Sequence, residues 1–176
     1  MSAPILIVTG ASGSGKTAAV RALETRNLPG VGCYYFDSIG VPEPEVMKRD
    51  FGSGEDWQAY ATKQWLDRLA TNTGDADVHV LDGQVRPSHV VEAAEQAGLS
   101  LVKIVLLDCT PEARYFRLVE LRQQPSLANA QMDCWAAYLR GQADALKLPV
   151  IDTTTLEIDE VADALMAHVE AARKAV

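Results

Sequence analysis

The feature that constrains this chain most is a glycine-rich octapeptide, Gly10–Thr17, which follows a run of four apolar residues, Ile5–Val8. The octapeptide reads GASGSGKT and fits the pattern GxxxxGK[ST] at every required position. Its glycines allow backbone angles at which successive N–H groups converge on phosphate oxygens, and the helix predicted to begin near Lys16 adds the positive end of its dipole. The sequence therefore predicts a phosphate-binding loop between a buried strand and a helix.

The members of this loop have expected roles. We expect the whole octapeptide to hold the phosphates of a nucleotide, through Gly10, Ala11, Ser12, Gly13, Ser14, Gly15, Lys16 and Thr17. The Lys16 ammonium is predicted to reach the β- and γ-phosphates, and the Thr17 hydroxyl is predicted to be a ligand of Mg²⁺. The alternative is a glycine-rich turn that binds no nucleotide, which the match of both motif and context disfavours.

The rest of the chain alternates short apolar strands with amphipathic helices. Further strands are predicted at 32–36, 78–81, 101–107 and 149–151, and the last helix is predicted to bury Ile158. Strands that alternate with helices form right-handed βαβ units and a parallel sheet that is covered on both faces. The sequence therefore predicts an α/β fold of three layers with five parallel strands.

Aspartates follow two of these strands, at the edge where parallel sheets bind their ligands. Asp82 follows 78–81 and is assigned to magnesium, through water, because Mg²⁺ needs more oxygen ligands than one hydroxyl. Asp37 follows 32–36 and is assigned to the acceptor hydroxyl, as a binding group or as the general base. The reverse assignment stays open, and so does the alternative that one of the two is only a turn residue.

Arginines are concentrated after the fourth predicted strand. Arg114 and Arg117 lie three residues apart on one predicted helix, and Arg122 comes just before a break at 123–126. A helix–break–helix segment that carries arginines is typical of a closing lid, where cations stabilise the charge on a transferring phosphoryl group. We assign Arg117 and Arg122 to catalysis and Arg114 to nucleotide binding. The alternative is a solvated surface on which the arginines pair with neighbouring glutamates.

Two residues beyond the third strand are candidates for substrate binding. Arg86 is expected to hold an anionic or hydroxylated substrate, and Gln84 is expected to be its hydrogen-bonding neighbour. Both follow Asp82 closely, so they belong to the same predicted edge of the sheet.

Length and charge exclude several classes of protein. The 176 residues fit one domain over 1–176, and 16 basic against 24 acidic residues give a net charge of 16 − 24 = −8. This total argues against a long polyanion such as a nucleic acid as partner, and leaves a small-molecule substrate. There is no run of about 18 apolar residues and no zinc pattern among the three cysteines. We therefore expect a soluble cytoplasmic protein without a membrane span.

Together these features resemble the P-loop small-molecule kinases, a group that includes the shikimate, gluconate, adenylate and chloramphenicol kinases. The similarity in element order covers nearly the whole chain, although only Gly10–Thr17, the Walker A loop, is a specific motif. The resemblance implies a sheet in the order 2-3-1-4-5, a substrate-covering segment at about 40–70 and a lid at about 117–131. It also implies phosphoryl transfer from ATP, with Mg²⁺, to a small metabolite.

The chain departs from the family pattern where the acceptor is chosen. Shikimate kinases carry a second acidic residue near the position of Asp37 and a triple-glycine run after strand three, whereas this chain has Asp82-Gly83-Gln84. Nucleoside monophosphate kinases favour an Asp-Gly-(aromatic)-Pro-Arg element or an Asp-Arg pair at this place, and residues 82–87, which read DGQVRP, match these elements only in part. The acceptor therefore stays open. ATP is favoured over GTP because the Asn-Lys-x-Asp element of GTPases does not occur in the sequence.

Two other functions remain as alternatives. The stretch Gly10–Leu23 also resembles the nucleotide-binding half of a bacterial RNA-binding adaptor family, which suggests a nucleotide-sensing regulator that transfers nothing. A polynucleotide 5′-end kinase would need a basic track through the lid and Arg86, and the acidic total disfavours it.

Overall fold

Five parallel strands form the centre of the fold in a computed structural model that describes residues 2–72 and 74–175. Their bounds are β1 (Ile5–Thr9), β2 (Val31–Tyr35), β3 (Val78–Asp82), β4 (Val102–Asp108) and β5 (Val150–Asp152). They pair in the order β2-β3-β1-β4-β5, and every pairing is parallel. This confirms the predicted α/β class and strand order. The predicted domain of 1–176 also includes Met1, Thr73 and Val176, which lie outside the described residues.

Seven α-helices of the described residues cover this sheet. Their bounds are α1 (Lys16–Thr25), α2 (Pro44–Phe51), α3 (Gly54–Ala70), α4 (Pro87–Gln96), α5 (Pro111–Phe116), α6 (Ala130–Ala145) and α7 (Ile158–Arg173). Helices α3 and α4 pack on one face, and α1 and α7 pack on the other, which gives the three predicted layers. None of these seven helices is both long enough and apolar enough to span a membrane.

The central strand explains why the sheet is covered on both faces. All five residues of β1 are buried. Ile5 and Ile7 pack into the core beneath α3 and α4, whereas Leu6 and Val8 pack into the core beneath α1 and α7. Because successive side chains point to opposite faces, a strand buried on both sides needs an uninterrupted apolar run, which Ile5–Val8 supplies.

The strand register brings the sequence-predicted residues to one edge. Val8, the last residue but one of β1, pairs with Asp82, and Tyr35 at the end of β2 pairs with the same residue. The glycine-rich loop after β1 and Asp37 after β2 therefore begin beside Asp82. Because the strands are parallel, the residues that follow them lie at one edge of the sheet.

The packing differs from the sequence expectation at one helix end. Ile158 was expected on the buried side of the last helix, but it is the first residue of α7 and is 42% exposed. The buried stripe of α7 begins instead at Val161, because the first turn extends beyond the core.

His79 on β3 is a buried base without a hydrogen bond. Its side chain is fully buried, and neither ring nitrogen has a partner among the described residues. Burial lowers the pKa of His79 from its ordinary value of 6.5. The unfolded chain takes up a proton near pH 6.5 and the folded chain does not, so we expect the free energy of unfolding to decrease as the pH falls below 6.5.

Replacing His79 by leucine should make this decrease shallower, because the variant has no imidazole to protonate on unfolding. Urea denaturation of both proteins, at a pH above and a pH below 6.5, measures the difference. An equal loss of stability in the parent protein and in His79→Leu would contradict this assignment.

Candidate active site

The glycine-rich loop joins β1 to α1 with the backbone that the motif requires. Gly13 has a φ of +84° and Gly15 has a φ of +95°. A Cβ atom at Gly13 would lie 2.9 Å from Cγ of Arg114, so the loop has no room for a side chain there. Helix α1 begins at Lys16, directly after Gly15, which has no side chain to cap it. The amide groups of its first turn are therefore available to an anion.

Lys16 is buried at the centre of the site. Its Nζ donates to the carbonyl oxygen of Ala11 at 3.2 Å, and its side chain is only 8% exposed. Burial lowers the pKa of Lys16, and the nearby carboxylates of Asp82 and Asp37 oppose that shift. A phosphate bound beside this ammonium would replace the hydration that burial removes.

Thr17 and Asp82 bring together two oxygen groups of the kind that Mg²⁺ prefers. The Thr17 hydroxyl donates to Oδ2 of Asp82 at 2.6 Å, and Oδ1 of Asp82 is buried without a partner among the described residues. Burial raises the pKa of Asp82, and Lys16 and Thr17 oppose the shift. Residues 2–72 and 74–175 hold no cluster of three or more His, Cys, Asp or Glu able to bind a metal. One or two protein oxygens with substrate phosphates is the usual Mg²⁺ arrangement, so this pair fits that ion.

A cavity of about 250 Å³ lies at the end of the loop, and we call it the phosphate-side cavity. It is lined by Ser12, Lys16, Thr17, Arg21, Tyr35, Phe36, Asp37, Asp82, Gly83, Gln84 and Arg122. The structure thus brings Asp37 together with Lys16 and Asp82. Asp37 is exposed and lies in the 3₁₀ turn Phe36–Ile39, directly after β2.

A second cavity, of about 530 Å³, shares Lys16, Thr17 and Arg122 with the first; we call it the lid-side cavity. Its full lining is Gly13, Gly15, Lys16, Thr17, Ala18, Arg21, Arg117, Leu121, Arg122 and Ile158. A π-helical turn, Arg117–Leu121, contributes Arg117 and Leu121 to this lining, and Arg122 follows it directly. Leu121 is 66% exposed and Ile158 is 42% exposed, so this cavity has an open apolar side.

Arg117 links the start of this turn to the loop and to the residue that follows β5. Its guanidinium donates to the carbonyl oxygen of Gly13 at 3.3 Å and to the Thr153 hydroxyl at 2.9 Å. It also donates to the carbonyl oxygen of Thr153. Arg117 thus lines the lid-side cavity with its guanidinium held in place.

Arg114 lies elsewhere. It is 4% exposed, it is absent from the lining of both cavities, and it donates to Asp133 at 2.6 Å and to the carbonyl oxygen of Cys109 at 3.1 Å. Its place three residues before Arg117 on a short helix turns it towards α6, behind Gly13. The structure therefore does not bring Arg114 into either cavity with the other predicted residues; its side chain packs against Gly13 of the loop.

A third cavity, of about 600 Å³, lies between α3, the segment after β3, and α6; we call it the α6 cavity. It is lined by Glu55, Gln84, Arg86, Leu127, Asn129, Gln131, Met132, Cys134, Trp135 and Tyr138. Gln84 lines this cavity and the phosphate-side cavity, so the two adjoin. Both predicted substrate residues, Gln84 and Arg86, are therefore in the α6 cavity.

The lining also includes residues to which the sequence analysis gave no role, among them Arg21, Trp135 and Tyr138. Arg21 lines the two cavities on either side of the loop, and its position four residues after Thr17 on α1 was an available signal. Trp135 and Tyr138 lie three residues apart on α6 and stack at 5.4 Å between ring centroids. Helical spacing alone does not identify Trp135 and Tyr138 as cavity residues, because it does not show which part of a helix extends beyond the sheet.

Thr153 supports the loop from beneath. It is 1% exposed, and its hydroxyl donates to the carbonyl oxygen of Ser14 at 2.8 Å while it accepts from Arg117.

Thr153→Val keeps the shape of the side chain but leaves these groups unpaired, so we expect a loss of about 1–3 kcal/mol in the free energy of unfolding. Chemical denaturation measures it. Thr155→Val, at an exposed position, is the matched control; equal losses in the two variants would contradict the role.

Comparison with solved structures identifies the fold. A gluconokinase from Sinorhizobium meliloti 1021 aligns with a TM-score of 0.70 at 18% identity, covering 99% of this chain and 96% of that one. A shikimate kinase from Acinetobacter baumannii, in complex with shikimate, gives 0.61 at 15% identity, over 96% and 94%. The Deinococcus radiodurans tunicamycin resistance protein gives 0.63 at 21% identity, over 95% of each chain.

Sequence comparison adds distant relatives. No family model matches the chain. A nucleotide-binding protein of Geotalea uraniireducens (strain Rf4) is 27% identical over 175 residues, which is 94% of this chain and 53% of that protein. A nucleotide-binding protein of Anaeromyxobacter dehalogenans (strain 2CP-C) is 30% identical over 166 residues, 89% of this chain and 49% of that protein. The chain spans about half the length of the curated relatives it matches. On its sheet order and its structural neighbours, the chain has the fold of the P-loop small-molecule kinases.

Proposed function

We propose that this chain is an ATP- and Mg²⁺-dependent kinase that transfers a phosphoryl group to a hydroxyl or phosphate of a small metabolite. The observation that carries the proposal is that Lys16, Asp37, Asp82 and Arg122 line one cavity at the end of the glycine-rich loop. A phosphate-binding lysine, an acidic residue for the acceptor, a carboxylate for the metal and a mobile cation are the groups that phosphoryl transfer uses.

The cavities divide the substrates between them. The loop amides and Lys16 would hold the β- and γ-phosphates, and the lid-side cavity would take the base and ribose of ATP. Its apolar side, with Leu121 and Ile158, suits a flat base, because burying apolar surface is favourable. The acceptor would enter beside Asp37, from the other side of the loop.

The chemical step follows from this arrangement. The acceptor hydroxyl gives its proton to the Asp37 carboxylate as its oxygen bonds to the γ-phosphorus. The bond from that phosphorus to the β–γ bridging oxygen breaks, and ADP leaves with the electron pair. Arg122, which is exposed and lines both cavities beside the loop, would move towards the transferring group and stabilise its charge.

Magnesium would be held by the Thr17 hydroxyl and, through water, by Asp82. The ion would supply positive charge to the β- and γ-phosphate oxygens. The protein's own contribution is to hold the Thr17 hydroxyl 2.6 Å from Oδ2 of Asp82 and to keep Oδ1 free of protein partners among the described residues.

The proposal is tested by incubating the protein with ATP, MgCl₂ and a panel of alcohols, sugars, nucleosides and antibiotics while ADP is measured. We expect at least one acceptor to accelerate ADP formation, and we expect EDTA to stop it. Phosphorus NMR or mass spectrometry then identifies the phosphorylated product. Tight ATP binding with no acceptor-dependent ADP formation would overturn the proposal.

A second candidate is a regulator that binds a nucleotide without transferring its phosphate. It is favoured by the sequence relatives, which are named nucleotide-binding proteins and are about twice as long as this chain. The two functions differ at Asp37. A kinase needs its carboxylate for turnover, whereas a sensor should bind its nucleotide and its partner equally well after Asp37→Asn.

A further inference from the structure

We propose that the α6 cavity binds the acceptor and that this acceptor is an uncharged alcohol with an apolar portion, not a carboxylate or a phosphate ester. The proposal rests on the kinase function above and narrows its substrate class. It follows from where the α6 cavity lies, from the charges that line it and from the hydrogen-bond donors that it offers.

The α6 cavity adjoins the reacting groups through Gln84. Oε1 of Gln84 accepts from the Ser12 hydroxyl of the loop at 3.0 Å, and the Gln84 carbonyl oxygen accepts from Gln58 at 2.9 Å. One residue therefore spans from the loop to the α6 cavity in a fixed position. A molecule in that cavity could place a hydroxyl group beside Asp37 and Lys16, which share the adjoining cavity with Gln84.

The charges of the α6 cavity compensate one another. Its charged lining residues, among those that the structure describes, are Glu55 and Arg86, whose side chains lie 3.3 Å apart. The Arg86 guanidinium also donates to Oε1 of Gln58 at 2.8 Å and lies 4.7 Å from the ring centroid of Trp135. An anionic substrate would have to displace Glu55 from Arg86 or remain unpaired, and both cost free energy.

The rest of the lining suits a ligand that is partly apolar and partly hydroxylated. Leu127, Met132, Trp135 and Tyr138 provide apolar and aromatic surface. Nε1 of Trp135 is buried without a partner among the described residues, so it is a donor for a hydroxyl or carbonyl oxygen. A volume of about 600 Å³ is within the range of cavities that hold drug-sized molecules.

Binding of matched pairs of compounds tests the charge preference. The pairs are glucose and gluconate, methyl shikimate and shikimate, and adenosine and AMP, each measured by isothermal titration calorimetry without nucleotide. We expect the neutral member to bind about tenfold more tightly than the anionic member. Tighter or equal binding of the anionic members, or no binding by any neutral member, would overturn the proposal. Because ATP is absent, the result does not depend on phosphoryl transfer.

Two variants locate the effect. Glu55→Gln leaves Arg86 without its carboxylate, so we expect the preference to shift about tenfold towards the anionic members. Trp135→Leu should weaken the neutral members about tenfold. Glu112→Gln, at an exposed position on α5, is the control for the first variant. Unchanged selectivity in Glu55→Gln would contradict the assigned role of the ion pair.

Cys134 allows the cavity itself to be blocked. It is an exposed thiol in the α6 cavity, whereas Cys109 is buried and burial raises the pKa of Cys33 to about 11. Labelling with N-ethylmaleimide should therefore abolish binding of the neutral compounds and leave ATP affinity unchanged. Cys134→Ser should be insensitive to the reagent. Undiminished binding after stoichiometric labelling of Cys134 would place the acceptor elsewhere. If the unlabelled protein bound the neutral compounds but did not bind ATP, the result would count against the kinase function alone.

Discussion

Replacing Lys16 by methionine is expected to lower kcat for phosphoryl transfer by roughly 10²–10³-fold or more. Methionine keeps much of the length of the side chain and removes the charge. In the structure Lys16 is a buried cation that lines one cavity with Asp82 and Asp37, so the variant removes a positive charge that offsets these two carboxylates. We therefore expect weaker ATP binding as well. ADP formation and calorimetric titration with ATP measure the two effects.

The same variant should fold at least as well as the parent protein. Burial lowers the pKa of Lys16, which means that the surroundings disfavour its charged form, and methionine removes that cost. An equal or higher midpoint of thermal unfolding would thus show that lost activity does not come from lost structure. Lys103→Met, at an exposed position on β4, is the control and should keep full activity. Parental kcat in Lys16→Met would contradict the site.

Replacing Asp37 by asparagine is expected to lower kcat by roughly 10²–10⁴-fold, the usual contribution of a general base. Asparagine has the same shape but is a poor proton acceptor. Asp37 is exposed in its 3₁₀ turn, so the fold should not change, and the ATP dissociation constant should stay within about threefold. Steady-state kinetics at saturating acceptor measure kcat, and calorimetry measures ATP affinity.

A parallel variant separates the two aspartates of the site. Asp82→Asn alters the carboxylate that accepts from Thr17, so we expect a higher Mg²⁺ concentration for half-maximal activity, whereas Asp37→Asn should leave that concentration unchanged. Asp67→Asn, on the surface of α3, serves as the control. If Asp37→Asn raised the Mg²⁺ requirement and Asp82→Asn did not, the assignment of base and metal ligand would be reversed.

Much of the fold was predictable because its signals are local. The apolar run of β1, the glycine positions of the loop and the alternation of strands and helices each depend on neighbouring residues. The strand order was predictable only by resemblance to a known family, and the structure confirms it. Asp37 and Asp82 could also be predicted from the sequence, since Asp82 ends β3 and Asp37 comes shortly after β2, at the same edge of the sheet.

The partners of the charged side chains were not predictable. Arg114 and Arg117 looked equivalent in the sequence, but Arg114 is buried against Asp133 and Arg117 faces the lid-side cavity. Arg86 was expected to hold a substrate, and the structure shows its guanidinium beside Glu55 and Trp135. These contacts join residues far apart in the chain, so no local pattern indicates them.

The sequence alone thus indicates a glycine-rich loop on a parallel α/β sheet, because turn geometry and hydrophobic periodicity are encoded by near neighbours. The tertiary contacts, and not the local sequence, set which basic side chains lack a carboxylate partner among the described residues and which residues line the α6 cavity. Those properties depend on how α3, α5 and α6 pack against the loop and against the segment after β3. Packing brings Glu55 to Arg86 and Asp133 to Arg114. The basic residues that line the lid-side cavity are therefore Lys16, Arg21, Arg117 and Arg122.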